Sequence, residues 1–448
     1  MSIVCLPALM VSWLDRLSTS LDRRSRPRFR AVVFGVIMCR EKRRTASAWF
    51  RTAEIGVDFR QAYWVLGSVG RRINSLAIEM LRIVNQSAAT ANEDRAVFAL
   101  DDSPTKRYGP CVEGAGIHHN PTPGPANQEF IYGHVWVTLA RVVKHKLWGA
   151  IALPVRAELY VREKDVPNIP PEYRWKFETK LQQAVAIIAW LAVWMQSQSK
   201  PIWLVMDGAY AASLVLRAAK KAGIFVVSRL RHDAALWSLP DPAKRPKSKR
   251  GRKPIYGDRR ISLAKRAAAK GGWVTEVIEV YGRFEEKTYK TFLATWGPAG
   301  GVIRVVLVKK DRNDWVAFFS TNVAATAAAI LGLVSDRATI EQVFHDVKEV
   351  WGAGQQQLRN IHANIGAWHL NLWMMTLIEL WAWDKSEEEL VDRSASPWDS
   401  EWRRPSHADR RKAMLRQTLR AEIQAAVSGD DQVEQLKSLA ERLLLLAA

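Results

Sequence analysis

A chain of 448 residues is long enough for two or three domains with real cores, and 48% hydrophobic residues with 20 tryptophans argue against general disorder. Lys and Arg number 66 against 45 Asp and Glu, a formal charge of +21, so the chain calls for a polyanionic partner. Nucleic acid fits best, because no lipidation motif supports the competing partner, an anionic membrane.

Met1 to Leu21 carries an apolar patch with Asp15 and Arg16 inside it and no basic stretch ahead of it, which makes a poor signal peptide. Residues 1–90 read as helical and basic, a DNA-binding region or a structural helical layer. Arg23, Arg24, Arg26, Arg28 and Arg30 lie close together, and Lys42-Arg43-Arg44 precedes Thr45. Thr45 is placed to cap a short helix over Ala46 to Thr52, and another helix is expected from Arg71 to Val84. Cys5, Cys39 and Cys111 stand apart with no C-x-x-C pair, which disfavours a zinc knuckle or a disulfide framework and suits a reducing cytoplasm.

From about Val97 the texture changes. Val97-Phe-Ala-Leu100 is a short apolar run ending in Asp101-Asp102, followed by a Gly- and Pro-rich loop over Tyr108 to Pro125. Phe130 to Val143 and Leu147 to Val161 are strand-like, rich in β-branched and aromatic residues. A helical pattern over 176–197 leads to a buried strand, Ile202 to Met206, ending at Asp207. Helix Ala211 to Ala222 and strand Ile224 to Val227 follow. Helices between successive strands point to an α/β fold with some parallel pairing.

Lys244-Arg-Pro-Lys-Ser-Lys-Arg-Gly-Arg-Lys253 has no apolar period and reads as an exposed loop, either a phosphate contact through Lys249, Arg250, Arg252 and Lys253 or a solvated linker. Three more strands are expected at Trp273 to Tyr281, Val302 to Val308 and Trp315 to Ser320, forming a β-rich insertion at about 230–320. Ile365 to Trp383 approaches membrane-spanning length, but His369, Asn371 and Glu379 interrupt it and favour a buried core helix. The tail, 384–448, is charged and amphipathic.

The stretch Arg337-Ala-Thr-Ile-Glu341-Gln-Val-Phe-His-Asp-Val-Lys348 carries the chemistry. On one helix, Arg337, Glu341 and Lys348 fall within about 40° of one another, beside a separate apolar stripe. A solvated charged face gives the same pattern. So does a carboxylate offered to a site between two phosphate-binding cations. Two acidic strand ends shift the balance, Asp101/Asp102 and Asp207, since ionised carboxylates are costly to bury unpaired. Separately, a strand-end turn explains the first and a helix N-cap the second. Brought to one sheet edge with Glu341, they would need cations, and hard divalent metals prefer oxygen ligands.

In this order and context the residues resemble the DDE transposases of bacterial insertion sequences, in the hairpin-forming cut-and-paste group with the signature Tyr-x2-Arg-x3-Glu-x6-Lys. Arg337, Glu341 and Lys348 match its last three places, and Val334 stands at the Tyr place. Asp101-Asp102-Ser103 fits the group's acid-Asp-Thr/Ser triplet, and Asp207 in Val-Met-Asp-Gly-Ala-Tyr fits the second aspartate. Gly352-Ala-Gly, beyond the glutamate, is also similar. The resemblance implies an RNase H-like DDE domain over 95–383 with the β-rich insertion, flanked by the helical N-terminal and C-terminal regions. It implies Asp102, Asp207 and Glu341 as catalytic ligands of two Mg²⁺ ions, replaceable by Mn²⁺, and Arg337 and Lys348 on phosphate. Trp315 would stack on a flipped base, although an ordinary core position fits it as well. The partners implied are double-stranded DNA, as terminal inverted repeats and target, and a second copy of the chain as a homodimer on paired ends. The site of action would be the bacterial cytoplasm, at the nucleoid. A DNA-binding protein that has lost mobility and an RNase H-like structure-specific nuclease are the rival readings.

Overall fold

In the computed structural model, residues 5–57, 59–120, 128–241, 255–310, 314–394, 396, 398–428, 436 and 440 are described. Five helices open the chain: α1 (Ala8–Ser18), α2 (Ser25–Met38), α3 (Ala46–Thr52), α4 (Phe59–Arg71) and α5 (Ile73–Asn85). Thr45 does cap α3, its side chain accepting from the Ala48 N–H.

Strands β1 (Ala96–Lys106), β2 (Gly116–His119), β3 (Phe130–His145) and β4 (Gly149–Tyr160) follow. Then come α6 (Lys180–Trp194), β5 (Ile202–Met206), α7 (Ser213–Lys221) and β6 (Phe225–Leu230). Helix α6 begins four residues later than the apolar pattern suggests, because Thr179 and Gln182 form a reciprocal capping box there. The β-rich stretch holds β7 (Leu236–Trp237), β8 (Arg260–Ile261), α8 (Leu263–Ala268), β9 (Val274–Val280), β10 (Arg283–Trp296), β11 (Gly301–Lys309) and β12 (Trp315–Ser320). Among the described residues five helices follow: α9 (Ala327–Arg337), α10 (Thr339–Glu349), α11 (Ile361–Ala382), α12 (Glu387–Leu390) and α13 (His407–Ser428).

The twelve strands of the described residues belong to one mixed sheet, ordered β2-β3-β1-β5-β6-β12-β11-β10-β7-β8, with β4 beside β3 and β9 beside β10. The pairs β1–β5 and β5–β6 are parallel, β5 and β6 joined by α7 and β1 reaching β5 through β2–β4 and α6. The β-rich segment continues this sheet, since β12 pairs antiparallel with β6.

Strand β1 does not end at Leu100 as its apolar run suggests. Its parallel pairing with β5 stops at Leu100 opposite Met206, but its antiparallel pairing with β3 continues to Lys106 opposite Gly133. Asp101 and Asp102 therefore lie inside a strand and point to opposite faces of the sheet. One face carries α9, packed on Trp203, Val205 and Val227. The other carries α7, whose Val215, Leu216 and Ala219 join the larger core with Leu204 and Met206.

Helix α11 is buried along its length, and its interior polar groups find partners within the protein. Asn371 donates to the Ala367 carbonyl, His369 Nε2 accepts from the Ala157 N–H, and Glu379 meets Arg410. Its backbone touches that of α4: a Cβ at Gly70 would stand 1.8 Å from the His362 carbonyl oxygen. No helix among the described residues is long and apolar enough to cross a membrane.

Candidate active site

The parallel strands fix the first two carboxylates. The β1–β5 register pairs Ala99 with Val205 and Leu100 with Met206, so the next row sets Asp101 beside Asp207. Neighbouring strands lie about 4.8 Å apart, and residues in one row share a face. Trp203 and Val205 lie on the α9 face, and by alternation Asp207 and Asp101 do too.

Glu341 reaches the same face from α10. The sequence suggests one helix from Arg337 to Lys348. Instead α9 ends at Arg337, Ala338 forms the junction, and α10 starts at Thr339. The spacing survives the break. Arg337 Nη1 lies 2.6 Å from Asp101 Oδ2, and Arg337 Nη2 lies 3.1 Å from Glu341 Oε1. One guanidinium thus ties the β1 carboxylate to the α10 carboxylate. Glu341 is 61% exposed, free to turn towards a ligand, while Asp101 is largely enclosed.

Burial pushes the Asp101 carboxyl up to about 6. Arg337 opposes that rise, and the charges of Asp102 and Asp207 add to it. Further along β1, Lys348 Nζ donates to Ser103 Oγ at 2.7 Å. Ser103 is two residues from Asp101 and shares its face, so Lys348 stands on the side of the acidic row. Burial brings its ammonium down to about 8.

Asp102 points the other way. Its Oδ1 accepts from the Tyr210 hydroxyl and its Oδ2 from Lys180 Nζ, each at 2.6 Å. Tyr210 is buried, its hydroxyl facing Asp102. Asp207 extends from the end of β5, its Oδ2 accepting from the Ala209 N–H at 2.9 Å. The N-cap reading of Asp207 and its place in the acidic row hold together, since the cap uses one oxygen.

Trp315 opens β12, half-buried, its ring stacked on His232 with centroids 4.3 Å apart. His232 follows β6 and borders a hollow lined also by Gly208 and Arg229. Trp315 therefore lies at the sheet edge where β5 delivers Asp207, but with Ala317 and Phe319 it packs on the opposite, α7 face. Lys249, Arg250, Arg252 and Lys253 lie outside the described residues.

Of the residues anticipated as one site, Asp207, Glu341, Arg337 and Lys348 share a face, and Asp102 does not. The geometry substitutes Asp101 for it. Lys180, a partner of Asp102, carries no sequence signal, whereas strand alternation through Asp101-Asp102-Ser103 would have separated the two aspartates once β1 was extended.

Asp101, Asp207 and Glu341 form an all-oxygen donor set, which suits a hard divalent cation. As they stand, no three His, Cys, Asp or Glu side chains among the described residues are close enough to hold one. The Arg337 guanidinium supplies the positive charge between Asp101 and Glu341.

The sequence family described as DDE superfamily endonuclease matches residues 16–289, more than half of the chain. No curated protein matches the chain in sequence. Among solved structures, a cryo-EM structure of the piggyBac transposase synaptic complex with hairpin DNA matches 98% of this chain and 82% of that one. Its identity is 8% and its TM-score 0.43, too slight a likeness to argue from.

Proposed function

The chain belongs to the DDE superfamily endonucleases, and from that premise we propose that it is a metal-dependent DNA transposase of the cut-and-paste kind with Asp101, Asp207 and Glu341 as its carboxylates. The observation that carries the reading is the row of Asp101 and Asp207, just past the last parallel pair of β1 and β5, with Asp101 tied through Arg337 to Glu341. The order β4-β3-β1-β5-β6, antiparallel on one side and parallel on the other, supports an RNase H-like core.

Asp101, Asp207 and Glu341 would hold two Mg²⁺ ions. The chemistry such a pair supplies when bound is activation of a water or a 3′-hydroxyl and neutralisation of the leaving oxygen. The protein's own part is positioning and charge. Arg337 keeps Asp101 and Glu341 from repelling each other until DNA arrives, and a guanidinium can then turn its fork to a phosphate. Lys348 adds a compact positive charge on the same face. Hydrolysis would break a P–O bond to leave a 3′-hydroxyl and a 5′-phosphate. Attack of that 3′-hydroxyl on the opposite strand would form a hairpin and release the other strand's 3′-oxygen. Trp315, at the sheet edge near Asp207, suits stacking on an extruded base once His232 moves aside. Duplex DNA is the partner, and pairing two ends requires two copies of the chain.

The test is excision of a marker flanked by the gene's own neighbouring DNA. Wild type should excise it, and Glu341→Gln should lose excision while binding DNA normally. Excision retained by Glu341→Gln would remove Glu341 from the site. Binding without excision by either protein would favour an immobile DNA-binding protein.

A further inference from the structure

A second cationic feature lies beyond the acidic row. Where β1 ends, a cleft of about 680 Å³ opens between three chain segments: the turn after α2, the loop after β1 and the loop after α10. Lys42, Arg43, Arg107 and Arg359 line it, together with Tyr108 and Cys111, and no carboxylate is on its wall. The three segments are fastened to one another. Arg107 Nη1 donates to the Gly354 carbonyl at 2.7 Å, the Arg44 N–H donates to Gln355 Oε1 at 2.9 Å, and the Ala46 N–H donates to the Gln356 carbonyl. Lys42, Arg43 and Arg359 are exposed and form no ion pair among the described residues. Arg107 is buried and half committed, its Nε donating to His134 Nδ1.

Four cations held on a fixed cleft without acidic partners repel one another unless an anion enters. The position indicates which anion. Along β1, the six residues from Asp101 to Arg107 span about 20 Å at ~3.3 Å per residue. Lys348, at Ser103, lies between. At ~3.4 Å per nucleotide along a duplex strand, 20 Å corresponds to about six nucleotides.

We propose that this cleft binds backbone phosphates of the DNA about six nucleotides from the bond to be broken, so that the duplex is gripped at two separated places. The inference rests on the transposase reading of the acidic site. Tyr108, largely exposed at the rim, would pack against the sugar face of the same strand.

Cys111 reports on the cleft, because Cys5 and Cys39 are buried and Cys111 is exposed. The experiment follows alkylation of Cys111 in the full chain with and without a 30-base-pair duplex, with binding read by fluorescence anisotropy in the same sample. Bound DNA should slow the modification at least tenfold. Arg43→Gln with Arg359→Gln should abolish that protection and lower the slope of log affinity against log salt by about two. Arg359→Gln alone should lower it by about one. Unchanged Cys111 reactivity in a sample where DNA is bound and Glu341-dependent nicking proceeds would overturn the cleft proposal alone. No binding of the duplex would overturn the transposase reading and the cleft with it.

Discussion

At the residue scale, the two adjacent aspartates of β1 have opposite fates. Both follow an apolar run, and the sequence offers no difference in composition to choose between them. The pleat chooses. Asp101 joins Asp207, Arg337 and Glu341, and Asp102 is taken up by Lys180 and Tyr210 on the far face. Burial holds the Asp101 carboxyl up at about 6, against a usual value near 3.8. A carboxyl raised in this way favours the folded state when protonated, so the folded state loses stability as pH rises from about 4 to 6, and the loss is complete above 6. Asp101→Asn should therefore stabilise the metal-free protein by on the order of 2 kcal/mol at pH 8. Denaturant titrations should show that gain fading as the pH falls from 6 to 4. A gain that grows towards low pH would mean that Arg337 outweighs burial at this carboxyl.

At the scale of elements, the sequence carried much of the site. The Arg-Glu-Lys spacing was legible and its surroundings were not. A helical period gives relative direction within a helix, but it cannot show that α9 stops at Arg337 and α10 restarts at Thr339. It also cannot show that Lys348 meets Ser103, since that contact depends on how α10 lies across β1. The reading of α11 as a core helix followed from polar residues too costly to leave in lipid. What the sequence could not supply was their partners. Glu379 sits at the centre of a buried latch that docks α13. His407 Nδ1 donates to Glu379 Oε1 at 2.6 Å, Arg410 Nη1 lies 2.7 Å from Oε2, and the Trp351 indole N–H donates to His407 Nε2. Burial opposes ionisation of Glu379, yet Arg410 and His407 hold it down to about 2. Glu379→Gln should cost about 3–5 kcal/mol, because it strands the Arg410 charge in the core. Thermal unfolding would check this, and a change below 1 kcal/mol would mean that the latch does not hold the tail.

At the scale of the whole molecule, the sheet is the organising fact. Among the described residues one twelve-stranded surface runs from β2 through the parallel centre into the β-rich segment, and the acidic row forms where the parallel pairing of β1 with β5 stops. The strands of this segment were visible in their β-branched runs. Their continuity with β6 was not, because nothing in β12 alone identifies β6 as its neighbour. The charge of +21 belongs to this scale as well. If it serves a polyanion, affinity for duplex DNA should fall by several orders of magnitude between low and moderate salt, since each phosphate neutralised contributes a slope of about 0.9. Binding that is flat in salt would contradict a basic surface as the means of capture.

The central claim is that the face shared by Asp101, Asp207 and Glu341 cleaves DNA, and the most direct test compares two neighbouring residues. Nicking of a duplex carrying the gene's own flanks should be measured in Mg²⁺ for wild type, Asp101→Asn and Asp102→Asn, with DNA binding recorded for each. Asp101→Asn should bind DNA but lose nicking by at least a thousandfold, while Asp102→Asn should keep nicking within about tenfold of wild type. Nicking retained by Asp101→Asn and lost in Asp102→Asn would contradict that claim, and would move the site to the face held by Lys180 and Tyr210.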